Sequence, residues 1–142
     1  MKTLFLFLLF FAGASCRAQQ IVKISDELKA LESNQEKYVG KPLAYFLSNV
    51  KFPIKYVIGA PGEGVRRSAF IFSFVPFTER EKYRKKGKFP PTLIVYVTGD
   101  FEWNRVHLQR YKRNEWTKDD ASKYGHLTVY KIAVLYENET LE

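Results

Sequence analysis

Two hydrophobic periods alternate along this chain, and one apolar block near its start follows neither. Leu4 to Ala12 (LFLFLLFFA) is unbroken apolar sequence behind Met1-Lys2, closed by the small residues Gly13, Ala14 and Ser15. Beyond it, Leu28, Leu31, Gln35 and Tyr38 fall near one helical face. With Ser25 in N-cap position and Asp26 and Glu27 in the first turn, they predict a helix over about 26–37. Leu43, Phe46, Leu47 and Val50 follow at i, i+3, i+4, i+7. They predict a second amphipathic helix that starts on Pro42 and ends before Pro53.

The period then changes to two. Ile54, Tyr56 and Ile58 alternate with Lys55 and Val57, and Gly59 to Gly64 reads as a turn. Ser68 to Val75 (SAFIFSFV) is apolar on both faces, which predicts a central strand. Thr78 and Glu81 have the spacing of a capping box for a helix running to Lys86, closed by Gly87, with Pro90-Pro91 blocking continuation. Thr92 to Thr98 (TLIVYVT) predicts a strand. Gly99-Asp100 predicts a hairpin turn into a return strand, Phe101 to about Lys112, bulged near Asn104-Arg105. Thr117 to Asp120 is a second capping box for a short helix ending at Gly125. Leu127 to Tyr136 is the last strand, with Tyr130, Ile132, Val134 and Tyr136 facing in, and 137–142 is a frayed tail. The order ααββαββαβ predicts an α+β fold: a mostly antiparallel sheet of about five strands with helices packed on one face.

The apolar block is about half the ~20 residues that a bilayer span needs, and its flanks are those of a secretory signal. The division is therefore a signal peptide, 1–18, and a single α+β domain, 19–142. Two routes of processing are open. Cleavage after Ala18 sets Cys16 and Ala18 at the small-residue positions and leaves Gln19 first. Alternatively Cys16 becomes the lipid-bearing first residue of a lipoprotein, although Gly13 stands where Leu or Val is favoured. Cys16 is the sole cysteine, so the exported domain has no disulfide, no redox pair and no thiolate metal site. The expected location is the periplasm or cell envelope, lipid-anchored if Cys16 is modified.

Charge narrows the partners. The full chain carries +8, and loss of Lys2 and Arg17 with residues 1–18 leaves +6. A basic exported protein meets anionic partners: an anionic glycan, a membrane surface or an acidic face of an envelope protein. The compartment disfavours nucleic acid. Arg80, Lys82, Arg84, Lys85, Lys86 and Lys88 crowd one helix and its exit. They form either a solvated helix face or a docking patch, and Arg80, Arg84 and Lys88 share one side if the helix continues through 87. Arg110, Lys112 and Arg113 form a smaller group around Tyr111.

Signals for catalysis are weak. No GxSxG elbow is present, and the exported chain keeps no cysteine nucleophile. Carboxylate pairs could be drawn from Glu63, Asp100, Glu102 or Glu115, as in any chain with 15 acids. His107 matches no ligand spacing with Asp100 and Glu102, and strand alternation sets it on their opposite face; His126 suits a helix end. Asn138-Glu139-Thr140 has the N-glycosylation pattern, which short sequences show by chance. No cofactor is implied.

Tyr38-Val39-Gly40-Lys41-Pro42-Leu43, Trp116 to Ala121 and Leu127-Thr128-Val129, behind a signal ending Ala18-Gln19, resemble a group of small uncharacterised exported envelope proteins of Bacteroidota. That resemblance implies no activity and no site residues. The expected function is a non-enzymatic binding or accessory module for an anionic or protein partner. The alternatives are a small periplasmic hydrolase and an inhibitor or immunity-type protein. Mass spectrometry of the exported protein should find Gln19 at the N-terminus, as the free amine or as pyroglutamate. A diacylated Cys16 there would overturn cleavage after Ala18.

Overall fold

The computed structural model describes residues 2–63, 67–109 and 112–136. The tail 137–142 with its glycosylation pattern, residues 64–66 of the predicted turn, and Arg110 and Tyr111 lie outside them. Four helices and four strands follow in the order α1 (Lys2–Ser33), α2 (Leu43–Ser48), β1 (Tyr56–Ala60), β2 (Ser68–Ser73), α3 (Phe77–Lys85), β3 (Thr92–Thr98), α4 (Lys118–Tyr124) and β4 (Thr128–Leu135). A short 3-10 turn, Gln35–Lys37, follows α1. The strands form one antiparallel sheet in the spatial order β1-β2-β3-β4. The class is α+β, with four strands rather than about five and without the predicted second ββ pair.

The missing strand is the return strand from Phe101. β3 lies between β2 and β4, so neither of its sides is free to pair with a hairpin partner. The alternating aromatics of that segment instead turn onto the central strand. Phe101 stacks on Phe70 with ring centroids 4.4 Å apart, and Trp103 meets the same ring edge-on at 5.8 Å. Trp116 sits edge-on against Phe72 at 5.3 Å. Such pairs contribute about 0.5–1.5 kcal/mol beyond the area they bury, which suits a segment with no strand ladder of its own. Gly59 makes room for this lid, because a Cβ there would sit 2.3 Å from Trp103 Cδ2.

One face of the sheet thus carries the core. Val57, Phe70, Phe72, Leu93, Val95, Val97, Ile132 and Val134 are buried on it, with Ile24, Leu28 and Leu31 of α1 and Leu43 and Phe46 of α2 packed above. β2 is a central strand, and Phe72 in it is fully buried. The other face holds Tyr56, Ile58, Ile71, Ile94, Tyr96, Ala133 and Leu135, which are half-buried, together with Ala69, Ser73 and Thr92, which are buried. α3 meets this face only at one end, where Phe77 stacks on Tyr56 at 5.7 Å.

Both sheet edges receive hydrogen bonds from outside the sheet. Along β4, Gly40 N–H donates to the Val129 carbonyl at 2.8 Å, and Val129 N–H donates to that of Lys41 at 2.9 Å. Further on, Ile132 N–H donates to Gln35 Oε1 and Val134 N–H to Glu32 Oε1. Along β1, Val57 N–H donates to the Asn114 carbonyl at 2.8 Å, and Asn114 Nδ2 donates back to the Val57 carbonyl at 3.0 Å.

Several local expectations change. Ser25 lies inside α1, which begins at Lys2 and runs on through it, and Pro42 is the N-cap of α2 rather than its first residue. α3 starts at Phe77 behind Pro76, with no side-chain cap, so Thr78 and Glu81 form no capping box. The stacking of Phe77 on Tyr56 draws that residue into the first turn. The Thr117–Asp120 box does form: Asp120 N–H donates to Thr117 Oγ1, and Thr117 N–H to Asp120 Oδ2. Tyr130 does not face in. A bulge pairs Tyr96 with Lys131 and Val97 with Val129, leaving Tyr130 as the extra residue, 46% exposed. No bulge forms at Asn104-Arg105, because no strand is there.

Phe72→Ala should cost about 3–5 kcal/mol, a large part of the ~5–15 kcal/mol that holds a domain of this size. Chemical denaturation checks it, and a near-unchanged midpoint would remove β2 from the centre of the core.

Candidate functional site

The predicted basic patch does not stay together. α3 ends at Lys85, and Gly87 reverses the chain with φ +66°. Lys88 N–H then returns to the Tyr83 carbonyl and Gly87 N–H to that of Arg84, both at 3.0 Å, a Schellman closure. Lys88 therefore leaves the side that Arg80 and Arg84 would share with it on a continuing helix. Arg80 turns to the sheet and lies over the Tyr56 ring, 4.5 Å from its centroid. Arg84 pairs with Glu81 one turn back at 2.8 Å. Lys85 is exposed and makes no ion pair among the described residues.

What converges is Lys82, Lys86 and Lys88, with Tyr83. These line one side of a groove of about 440 Å³ whose other side is Arg17, Ala18, Ile21 and Val22 of α1. Its single acid, Glu79, pairs with Arg17 at 3.5 Å. The three lysines make no ion pair among the described residues. Cations beside a partly apolar floor suit an anion that also carries nonpolar surface. Cys16, exposed on α1, directly precedes Arg17 in the chain.

A second concavity, about 360 Å³, gathers Glu102, Arg105, His107, Asp119, Asp120 and Lys123. His107 and Glu102 share it, contrary to strand alternation, because the segment is a loop. Its central groups are engaged by the chain itself. Arg105 lies 3.7 Å above the Trp103 ring centroid, donates to the Glu115 carbonyl, and pairs with Asp120 Oδ1. Asp120 Oδ2 accepts from Thr117 N–H and Oγ1. Tyr124 Oη donates to the Glu102 carbonyl at 2.7 Å. His107 is exposed and has no orienting partner among the described residues, whereas a general base needs one. Among the described residues, no three His, Cys, Asp or Glu side chains converge as a metal site.

The remaining candidates are dispersed. Arg113 donates to the carbonyls of Leu108 and Val106, so it holds the loop. Asp100 and Glu63 are exposed and join neither concavity. His126 is exposed beyond the end of α4. Among the described residues, no helix is long and apolar enough to cross a membrane.

Comparison with protein-family models, with curated proteins and with solved structures finds no match to this chain.

Two features would have been hard to find from residues alone: the Arg105–Asp120 pair, fifteen positions apart on a loop and a helix, and the pairing of leader-proximal Arg17 with Glu79. Arg105 and Asp120 side chains are only 11% and 10% exposed. Arg105→Ala leaves a buried carboxylate without its cation, which costs on the order of 3–5 kcal/mol. The variant should melt earlier, while binding per folded molecule to anionic vesicles stays at the wild-type level. Unchanged melting would show that the loop does not depend on the pair.

Proposed function

We propose that this protein is an exported, non-enzymatic binding module of the cell envelope whose partner is anionic. The observation that carries the reading is the convergence of Lys82, Lys86 and Lys88 on one groove that holds a single acid, Glu79. Support for export comes from the leader sequence and its single cysteine, and support for an anionic partner from the +6 charge left after residues 1–18. Hydrolysis has less behind it, since Arg105, Thr117 and Asp120 are tied into the loop that covers the core. Binding of this kind weakens with salt, because exposed charges are screened beyond about 8–10 Å at physiological ionic strength.

The test is a variant in which Lys82, Lys86 and Lys88 are all replaced by Glu, on a surface away from the core. It should fold with wild-type circular dichroism and lose its low-salt affinity for vesicles containing phosphatidylglycerol and for heparin. If the wild-type protein binds neither in a salt-sensitive way, the lysines form a solvated face and the reading fails.

A further inference from the structure

We propose that the open face of the sheet docks flat on an anionic lipid surface, its isoleucines toward the acyl boundary and its cations on the headgroups. This deepens the anionic-partner reading and rests on it. The strand registers set Ile58, Ile71, Ile94 and Ala133 side by side, one from each strand, in a single row across the sheet. All four are half-buried, and among the described residues no helix lies over the row: the residues of α1, α2 and α4 that enter the core pack on the opposite face. The four strands contain no acidic residue, and their one charged residue, Lys131, points to this open face opposite Tyr96.

Aromatic rings and cations border the row at both ends. At one end Arg80 lies over Tyr56, which Phe77 also stacks against. At the other, Arg67 lies 3.9 Å from the centroid of the bulged Tyr130, and Lys131 lies 6.0 Å from that of Tyr96. Phe77 is 51% exposed and Tyr130 46%. The bulge matters here, because the extra residue aims both Tyr130 and Lys131 at the side that Tyr96 occupies. Arg80 and Lys82 belong to the same helix, which thus sets one cation at the open face and another on the lysine groove.

Four arguments choose a lipid surface. Gln35 and Glu32 on β4 and Asn114 on β1 bond to the edge backbone, where they obstruct the addition of a partner strand. An apolar centre, amphipathic tyrosines and outer cations match the depth profile of a bilayer interface: acyl boundary, carbonyl layer, phosphates. A soluble polyanion offers nothing for the isoleucine row. A second copy of this chain would set Arg67, Arg80 and Lys131 against the same cations.

The test uses the full chain and residue-resolved hydroxyl-radical footprinting, so that membrane insertion of the Leu4–Ala12 segment cannot imitate docking of the face. Vesicles of phosphatidylcholine with phosphatidylglycerol should protect Phe77, Tyr96 and Tyr130 from labelling. Pure phosphatidylcholine should not, and Tyr45, 51% exposed on α2, should label alike in both. Replacing Phe77 and Tyr130 by Ala removes exposed rings without changing charge. That variant should lose about tenfold in partition into the anionic vesicles, since binding scales with buried apolar area, while keeping wild-type affinity for heparin. Equal labelling of the three rings with and without anionic vesicles overturns the proposal, as does protection by an acidic polypeptide but not by vesicles. If the lysine variant loses vesicle binding while the ring variant keeps it, the anionic-partner reading stands and the sheet-face inference falls.

Discussion

A sheet of four strands has two edges whose N–H and C=O groups need partners, and in this protein the partners come from outside the sheet. The backbone at 40–41 serves the first part of β4, Gln35 and Glu32 serve the second part, and Asn114 serves β1. An open edge would invite another chain to pair with it. Bonding to both fixes the position of α1 through Glu32, the 3-10 turn through Gln35, and the loop before α4 through Asn114. The elements around the sheet are thus placed by backbone hydrogen bonding as much as by burial, and any partner is left with the faces.

The faces divide the work. One is sealed by helices and by a long aromatic loop that has no strand ladder. That loop is held by rings on Phe70 and Phe72 and by Arg105, whose guanidinium is clasped between Trp103 and Asp120. A buried charge pair of this kind adds little net stability against an apolar substitute, but breaking it from one side is costly. Its use here is positional: it ties the loop to the N-terminus of α4, whose capping box already orients Asp120. Along its isoleucine row the opposite face has no helix over it among the described residues, and its strands carry no carboxylate.

Strands with strong alternation, the Thr117–Asp120 box and the burial of Phe72 were legible because local chemistry and tertiary packing agree there. The segment after Gly99 was not. Alternating Phe101 and Trp103 look the same to a periodicity argument whether they line a strand or drop onto a core, and only the occupied flanks of β3 decide between the two. Tyr130 was misplaced for a similar reason: a bulge shifts which side a residue faces without any glycine or proline to mark it. At the candidate site, the residue types of the basic run were legible but their division was not. Tyr56 draws Arg80 away, Glu81 takes Arg84, and the αL turn at Gly87 redirects Lys88. Nothing local to α3 reveals that a leader-proximal helix forms the other wall.

That wall links processing to electrostatics. The core residues that α1 supplies, Ile24, Leu28 and Leu31, all lie beyond Ala18, so cleavage there leaves the packed part of the helix in place. It would remove Arg17 and leave Glu79 without that cation, which lowers the net charge of the groove lining by one. Retention of Cys16 as a lipid-bearing first residue would keep Arg17 and Glu79 paired and hold the three lysines close to the membrane. A diacylated Cys16 would already supply the two chains that stable anchoring takes, so the basic patch would orient the domain at the surface rather than hold it there. In that form the groove and the open sheet face would orient an anchored domain, whereas in the cleaved form the same lysines, with the cations and rings of the face, would have to supply any membrane affinity themselves.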